Sequence, residues 1–347
     1  GRLEQADGTN WMAFYALALW QMSNILATED DAWTDLEVKF IEHFALIVEA
    51  MRSQGLWDDQ DGFFYDVFTT PQGEKIPIRS RSIVGVLPLL STVVLGPETL
   101  GPLETMGKRF EALRERFSAK GQSGVGQVLA DLSDNHLVLG VIPTGDGFRV
   151  LHRVFDEDEF LSPHGLRALS RHHLENPVSL DLEGTHVSVD YEPAESTTGM
   201  FGGNSNWRGP VWMPVNYIVL RSLQRNARSM GDAISIEYPT RSGQMLNPGD
   251  CAEDLRRRLV SLFLRGPDGR RPCHGEVEML QTDPRWRDNI TFFEYFHGDN
   301  GAGLGASHQT GWTGLVADLI CRPNPFLAGG GLWNQGKPTT GAEDSVD

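Results

Sequence analysis

The stretch GMFGGNSNWRGPVWMPVNYIVLRSLQR, Gly199 to Arg225, decides how the chain is read. Its first part is a glycine-rich loop and its last part has helical spacing. Between them stand Trp207, Arg208 and Trp212, with Pro210 suited to the first turn of a helix. A guanidinium flanked by two indoles beside a helix start is unusual for an ordinary core. It suits a cleft, where indole faces meet apolar ligand surface and guanidinium groups meet oxygen.

The same alternation of helix and loop recurs outward from that stretch. Apolar residues at helical spacing predict helices over 11–26, 34–52, 79–95, 97–117, 163–174 and 246–264, and a short one after Trp312. In the first, Trp11, Phe14, Tyr15, Ala18, Leu19, Met22, Ile25 and Leu26 form the apolar set, with Thr9 or Asn10 as the cap. Strand patterns are short. They cover 63–68, 148–155 and a hairpin over 178–191 that breaks at Glu183-Gly184. Strands do not alternate with helices, so a parallel α/β fold is disfavoured. Helices returning in pairs, with loops between them, point to an all-α toroid whose loops build a cleft at one end. Residues 1–327 read as one unit. Residues 328–347 are rich in Gly and Pro, lack periodicity, and read as a frayed tail.

Composition excludes several functions. The chain has 347 residues, 40 % hydrophobic, enough for a large core. Its net charge of −17 would repel a phosphate backbone, so nucleic-acid partners are not expected. No apolar run approaches the roughly 20 residues that span a bilayer. The three cysteines, Cys251, Cys273 and Cys321, form no CxxC pair, and zinc or redox motifs are absent. Asp58, Asp59 and Asp61 precede Gly62, but Trp57 stands where a calcium loop needs its first acid. No metal or other cofactor is expected. The chain begins with Gly1 and not Met, so a natural N-terminus upstream is expected.

Chemistry concentrates in TFFEYFHGDNGAGLGASHQTGWTGLVADLI, Thr291 to Ile320. Glu294 is a lone carboxylate among Phe292, Phe293, Tyr295 and Phe296. Such an acid is costly to ionise unless polar groups share its site. A glycine-rich loop follows, then His308 and Trp312. A second acid, Asp7, lies at the N-terminal end of the first helix, where the helix dipole favours negative charge. The glycines from Gly301 to Gly305 match a dinucleotide fingerprint only loosely and lack its strand–turn–helix context. No Gly-x-Ser-x-Gly elbow is present. Two carboxylates with aromatic surface are the minimal equipment for glycoside hydrolysis, in which one acid protonates the leaving oxygen and the other activates water or attacks the sugar.

Three motifs, LEQADGTNWMAFY (3–15), NWRGPVWMPVNY (206–217) and FFEYFHGDNGAGLGASHQTGWTGLV (292–316), resemble the catalytic domain of glycoside hydrolase family 63. That family includes processing α-glucosidase I (mannosyl-oligosaccharide glucosidase) and bacterial relatives. The motifs stand in the family's order and span most of the chain, the middle one being the most specific. The resemblance implies an (α/α)6 toroid of six helical hairpins and an inverting mechanism at an α-linked sugar. Carried over position by position, Asp7 matches the general acid and Glu294 the general base. Trp11, Trp207, Arg208, Trp212, His308 and Trp312 would line the cleft against a carbohydrate substrate.

Two departures qualify the match. The toroid needs twelve helices and about eight are read, so the N-terminal ones are expected upstream of Gly1. The motifs look closer to the bacterial type, which implies a cytoplasmic enzyme and a substrate other than N-glycans. Other (α/α)6 hydrolases, trehalase-like or mannosylglycerate-hydrolase-like, are alternatives, as is a non-catalytic carbohydrate-binding module. A sugar epimerase is disfavoured because its paired cleft histidines are missing, His308 alone being well placed.

Overall fold

The computed structural model describes residues 1–27, 29–95, 115, 131–133, 136–142, 144–182, 184–197, 207–230 and 234–324. Apart from residue 115, the expected helix over 97–117 lies outside the described residues, as does the tail over 328–347.

The chain opens with strand β1 (Arg2–Glu4), then two long helices, α1 (Ala6–Ala27) and α2 (Thr34–Ser53), which pack along each other. Strands β2 (Trp57–Asp58) and β3 (Phe63–Phe64) form a hairpin. Strands β4 (Asp66–Thr69) and β5 (Lys75–Ile78) make a three-stranded antiparallel sheet with β1, in the order β1-β4-β5. In its register Glu4 lies opposite Val67 and Asp66 opposite Ile78. The residues just before α1 are therefore strand. This sheet sets where α1 begins.

Two 3-10 helices (Ile83–Gly85 and Leu87–Ser91) and strand β6 (Thr92–Leu95) replace the helix expected over 79–95. Pro88 removes a helix donor, and Thr92-Val93-Val94 are β-branched residues that pair with a later strand. That later strand is β8 (His136–Gly140), which also carries β7 (Asp131–Ser133) on its other edge. Residues 148–155, expected as a strand, lie mostly in helix α3 (Thr144–Val154). Val150 and Val154, four apart, are both fully buried, and that spacing belongs to a helix face. The helix expected over 163–174 is instead the hairpin β9 (Leu161–Ser162) and β10 (Gly165–Leu166) followed by a 3-10 turn (Arg171–Leu174). Strands β11 (Val178–Leu182) and β12 (Thr185–Val189) form the hairpin expected there.

Helix α4 (Met213–Met230) starts three residues later than Pro210 suggested. Val211 is occupied first: it bridges Arg167 on one side and Phe296 on the other, and Pro214 takes the first-turn position. A small hairpin, β13 (Ile236–Glu237) with β14 (Met245–Leu246), leads to α5 (Pro248–Ser261). Asn247 caps α5, its Oδ1 accepting from Asp250 N–H at 2.9 Å, and Pro248 opens it. A short helix α6 (Glu278–Thr282), the hairpin of β15 (Tyr295–Phe296) and β16 (Gly303–Leu304), and α7 (Leu315–Cys321) complete the described residues. Helices α4 and α5 pack together, and α7 lies against both.

Helix α1 covers the expected 11–26 but begins five residues earlier, and of the expected inner set Trp11 and Phe14 pack against the core while most of the rest faces outward. Ala6, Ala13, Ala16, Leu17 and Trp20 are buried, and the larger set Met12, Tyr15, Leu19, Met22 and Leu26 is exposed. The alanines let α2 and the Leu87–Ser91 turn approach closely, with Leu17 and Trp20 buried on the same side. Thr9 and Asn10 lie inside the helix and do not cap it. Asn10 is fully buried and accepts from Ser91 Oγ at 3.0 Å. Among the described residues, no helix is long and apolar enough to cross a membrane. Burial pushes the Cys251 and Cys273 thiols up to about 12, which leaves them protonated and inert.

Candidate active site

Asp7 sits in the first turn of α1, where its Oδ1 accepts from Gly8 N–H at 2.6 Å. The start of that helix is held from a distance. The Asp66 carboxylate on β4 accepts from Ala6 N–H at 2.7 Å, a first-turn donor that Asp7 does not serve. Both carboxylates line a cavity of about 430 Å³. Leu3, Gln5, Trp11, Ser82, Ile83, Val84, Leu87, Ala168, Trp207 and Val215 form the rest of its described wall. Two indoles and two carboxylates in one wall can sandwich an apolar ring face while offering acceptors to hydroxyl groups.

An aromatic series leads away from that cavity. Trp207 stacks on Trp212 with centroids 4.3 Å apart and planes 4° from parallel. Trp212 stacks in turn on Tyr295 at 4.8 Å and meets Trp312 at 5.3 Å. Glu294 immediately precedes Tyr295. Its Oε2 accepts from Ala306 N–H at 3.3 Å, across the turn of the glycine-rich loop. Gly305, at φ +66°, completes that turn, and a Cβ there would stand 2.8 Å from Glu294 Oε2. The left-handed backbone and the close approach both demand glycine.

The loop segments are locked together by backbone and by buried charge. Val211 and Phe296 exchange backbone hydrogen bonds at 2.8 and 3.0 Å, joining the tryptophan loop to the Glu294 segment. A Cβ on Gly298 would fall 2.6 Å from Gly209 O, so these two loops touch backbone to backbone. Arg208 is buried and pairs with Asp190 and, at 3.2 Å, Glu192. Burial pulls its guanidinium below the usual range. Arg167 is buried against Asp299 of the glycine-rich loop at 3.1 Å, and Tyr191 Oη donates to the same carboxylate at 2.9 Å. Tyr295 Oη donates to Glu195 at 2.7 Å. The strap 190–195 thus ties both loops down.

The structure brings Asp7, Trp11 and Trp207 to one cavity. It connects Trp207 through Trp212 to Trp312 and to the Glu294 segment. Arg208 does not line that cavity; its guanidinium holds the loop that carries Trp207. His308 is exposed, its backbone bridged to Phe292. Asp66 was missed by sequence reasoning, although a signal was present. FFYDVF (63–68) sets one acid among aromatics in the manner of FFEYF (292–296). A second cavity, of about 100 Å³ and lined by residues such as Leu90, Phe148, Leu151 and Val219, holds no ionisable side chain among its described residues. Among the described residues no cluster of three or more His, Cys, Asp or Glu could hold a metal ion.

No family model matches the chain. It is 37 % identical over 346 residues to an uncharacterized protein of Saccharomyces cerevisiae, a match covering 92 % of this chain and 31 % of that protein. It is 25 % identical over 188 residues to a probable mannosyl-oligosaccharide glucosidase of Schizosaccharomyces pombe, covering 53 % of this chain and 16 % of that one. The mannosyl-oligosaccharide glucosidase of Saccharomyces cerevisiae matches at 25 % over 175 residues, 50 % of this chain and 15 % of its own length. The chain spans under a third of the length of each of these relatives. Its likeness to the glucosidases is distant and partial, and it agrees with a glycosidase-like function at that level.

Proposed function

We propose that the chain carries the catalytic centre of an inverting α-glycoside hydrolase acting on an α-glucoside. Asp7 is the general acid and Glu294 the general base. The observation that carries the reading is the single cavity holding Asp7 between Trp11 and Trp207. From Trp207 in its wall, the stack on Trp212 and Tyr295 leads outside that cavity to the residue next to Glu294. The distant likeness to mannosyl-oligosaccharide glucosidases supports the same reaction class. The paired helices, α1 with α2 and α4 with α5, are read as part of an (α/α)6 toroid.

In this mechanism the sugar ring rests on indole surface. Asp7 protonates the oxygen of the leaving group, and the glycosidic bond breaks through a transition state with positive charge on the sugar. Glu294, steadied by Ala306 N–H, takes a proton from a water that attacks the opposite face. Such a pair works at a carboxylate separation of about 6.5–9.5 Å, which leaves room for that water. The reading is tested by following hydrolysis of a panel of α-linked glucose disaccharides by proton NMR. The β-anomer of glucose should appear first. Initial release of the α-anomer, or full activity in Glu294→Gln, would sink it.

A further inference from the structure

Asp66 reaches the cavity from a different element than Asp7 does. It lies on β4, whose neighbour β1 runs directly into α1. Its Oδ1 is committed to Ala6 N–H at 2.7 Å. Its Oδ2 has no hydrogen-bond partner among the described residues, and the side chain lines the cavity. Asp7, from α1, is the one other ionisable side chain among the cavity's described lining residues. The neighbouring wall from 82–87, from Ala168 and from Trp207 and Val215 contributes no charge.

This arrangement is uneconomical for a cap alone. Burial holds the Asp66 carboxyl above the usual carboxylate range, and the Asp7 charge adds to the rise, with the Ala6 hydrogen bond opposing. A group raised in the folded state contributes stability that is lost as pH climbs through its folded pKa, so its ionised form weakens the fold at neutral pH. An asparagine would also accept from Ala6 N–H, through a weaker neutral bond but without that penalty. The helix start uses one carboxylate oxygen and leaves Oδ2 facing the cavity.

We propose that Asp66 is a substrate-binding carboxylate: Oδ2 accepts hydroxyl hydrogens from the sugar ring seated against Trp11 and Trp207, and Oδ1 stays on Ala6. The inference rests on the sugar-site reading given above. It assigns the cavity floor a hydroxyl-recognition role separate from the acid–base pair. Because Oδ1 also fixes the first turn of α1, the same carboxylate aligns the ring with Asp7.

The test is a titration of tryptophan fluorescence with D-glucose, which Trp11 and Trp207 report, alongside thermal melting at pH 7. Hydrogen bonds to a charged group contribute roughly 1.5–3 kcal/mol, so Asp66→Asn should weaken glucose by about tenfold to a hundredfold. Its melting midpoint should be no lower than that of the unchanged protein. Asp66→Ala also loses the Ala6 bond and should melt lower. Glucose binding by Asp66→Asn within about twofold of the unchanged protein overturns the inference, as does a lowered midpoint in that variant. If Glu294→Gln is inactive while Asp66→Asn binds normally, this inference falls and the hydrolase reading stands. If the unchanged protein binds glucose and Glu294→Gln keeps full hydrolysis, the acid–base reading falls and Asp66 is judged by its own titration. No glucose binding by the unchanged protein overturns both.

Discussion

The first turns of α1 and α5 are each held by a side-chain oxygen, but the two holds differ in reach. Asn247 stands immediately before α5 and accepts from Asp250 N–H. Asp66 holds α1 from 60 residues along the chain. A local cap secures only its own helix. A remote one fastens a helix to a sheet and thereby fixes the wall between them. In this molecule that wall includes Asp7, Trp11 and Trp207, whereas Pro248 at the start of α5 lines the smaller cavity, which has no ionisable side chain among its described residues.

The contrast can be broken most decisively at the carboxylates. Asp7→Asn and Glu294→Gln should each lower kcat by about 10²–10⁴-fold, the usual yield of a positioned acid or base, with melting unchanged. Steady-state rates on the best disaccharide of the panel provide the check. An Asp7→Asn variant of normal rate would leave the remote hold without a catalytic purpose. Next in size is Arg167→Ala. The Glu294 segment has no helix start to steady it and relies on buried charge instead. Removing Arg167 should cost about 3 kcal/mol of stability in urea unfolding, the lower end for a buried pair because Asp299 is partly open to water. Asn247→Ala should cost about 1 kcal/mol and leave kcat unaltered, since a local cap serves its helix alone. A fall in kcat for that variant would erase the distinction. The smallest effect is on pH dependence. Because the Asp66 carboxyl is raised in the fold, any stability advantage of Asp66→Asn over the unchanged protein should shrink as pH falls from 7 towards 4, as urea midpoints would show.

The same contrast explains what the sequence made legible. α5 could be read because its signals are adjacent: Asn247, Pro248, then Cys251, Ala252, Leu255 and Leu259 inward. The hairpin over 178–189 was legible for the same reason. The start of α1 was not, because its acceptor lies on another strand and Thr9 and Asn10 offered plausible local substitutes. The delay of α4 past Pro210 had a similar origin: Val211 is claimed by Arg167 and Phe296, partners that spacing alone cannot name. Residues 148–155 were misread because Val150, Val154 and Phe155 carry strand propensity, while their burial follows a helical period. Of the site, Glu294 and Trp207 stood out as unusual residues in unusual company. Arg208 stood out equally, yet its guanidinium faces Asp190 and Glu192, and neither acid was visible from the NWRGPVW motif.

The outer face of α1 has a consequence for the chain in solution. Met12, Tyr15, Leu19, Met22 and Leu26 are spaced alternately three and four apart, and each is at least 41 % exposed. After Asp7 the helix carries no charged residue. A contiguous apolar stripe of that kind is adhesive. The net charge of −17 opposes the approach of two copies, through the ionic atmosphere. That repulsion reaches about 30 Å at 0.01 M salt and about 3 Å at 1 M. Adding sodium chloride should therefore promote self-association, a rise in scattered light with ionic strength that Leu19→Glu and Met22→Lys would abolish. Dilute buffer is therefore where the protein should be most dispersed.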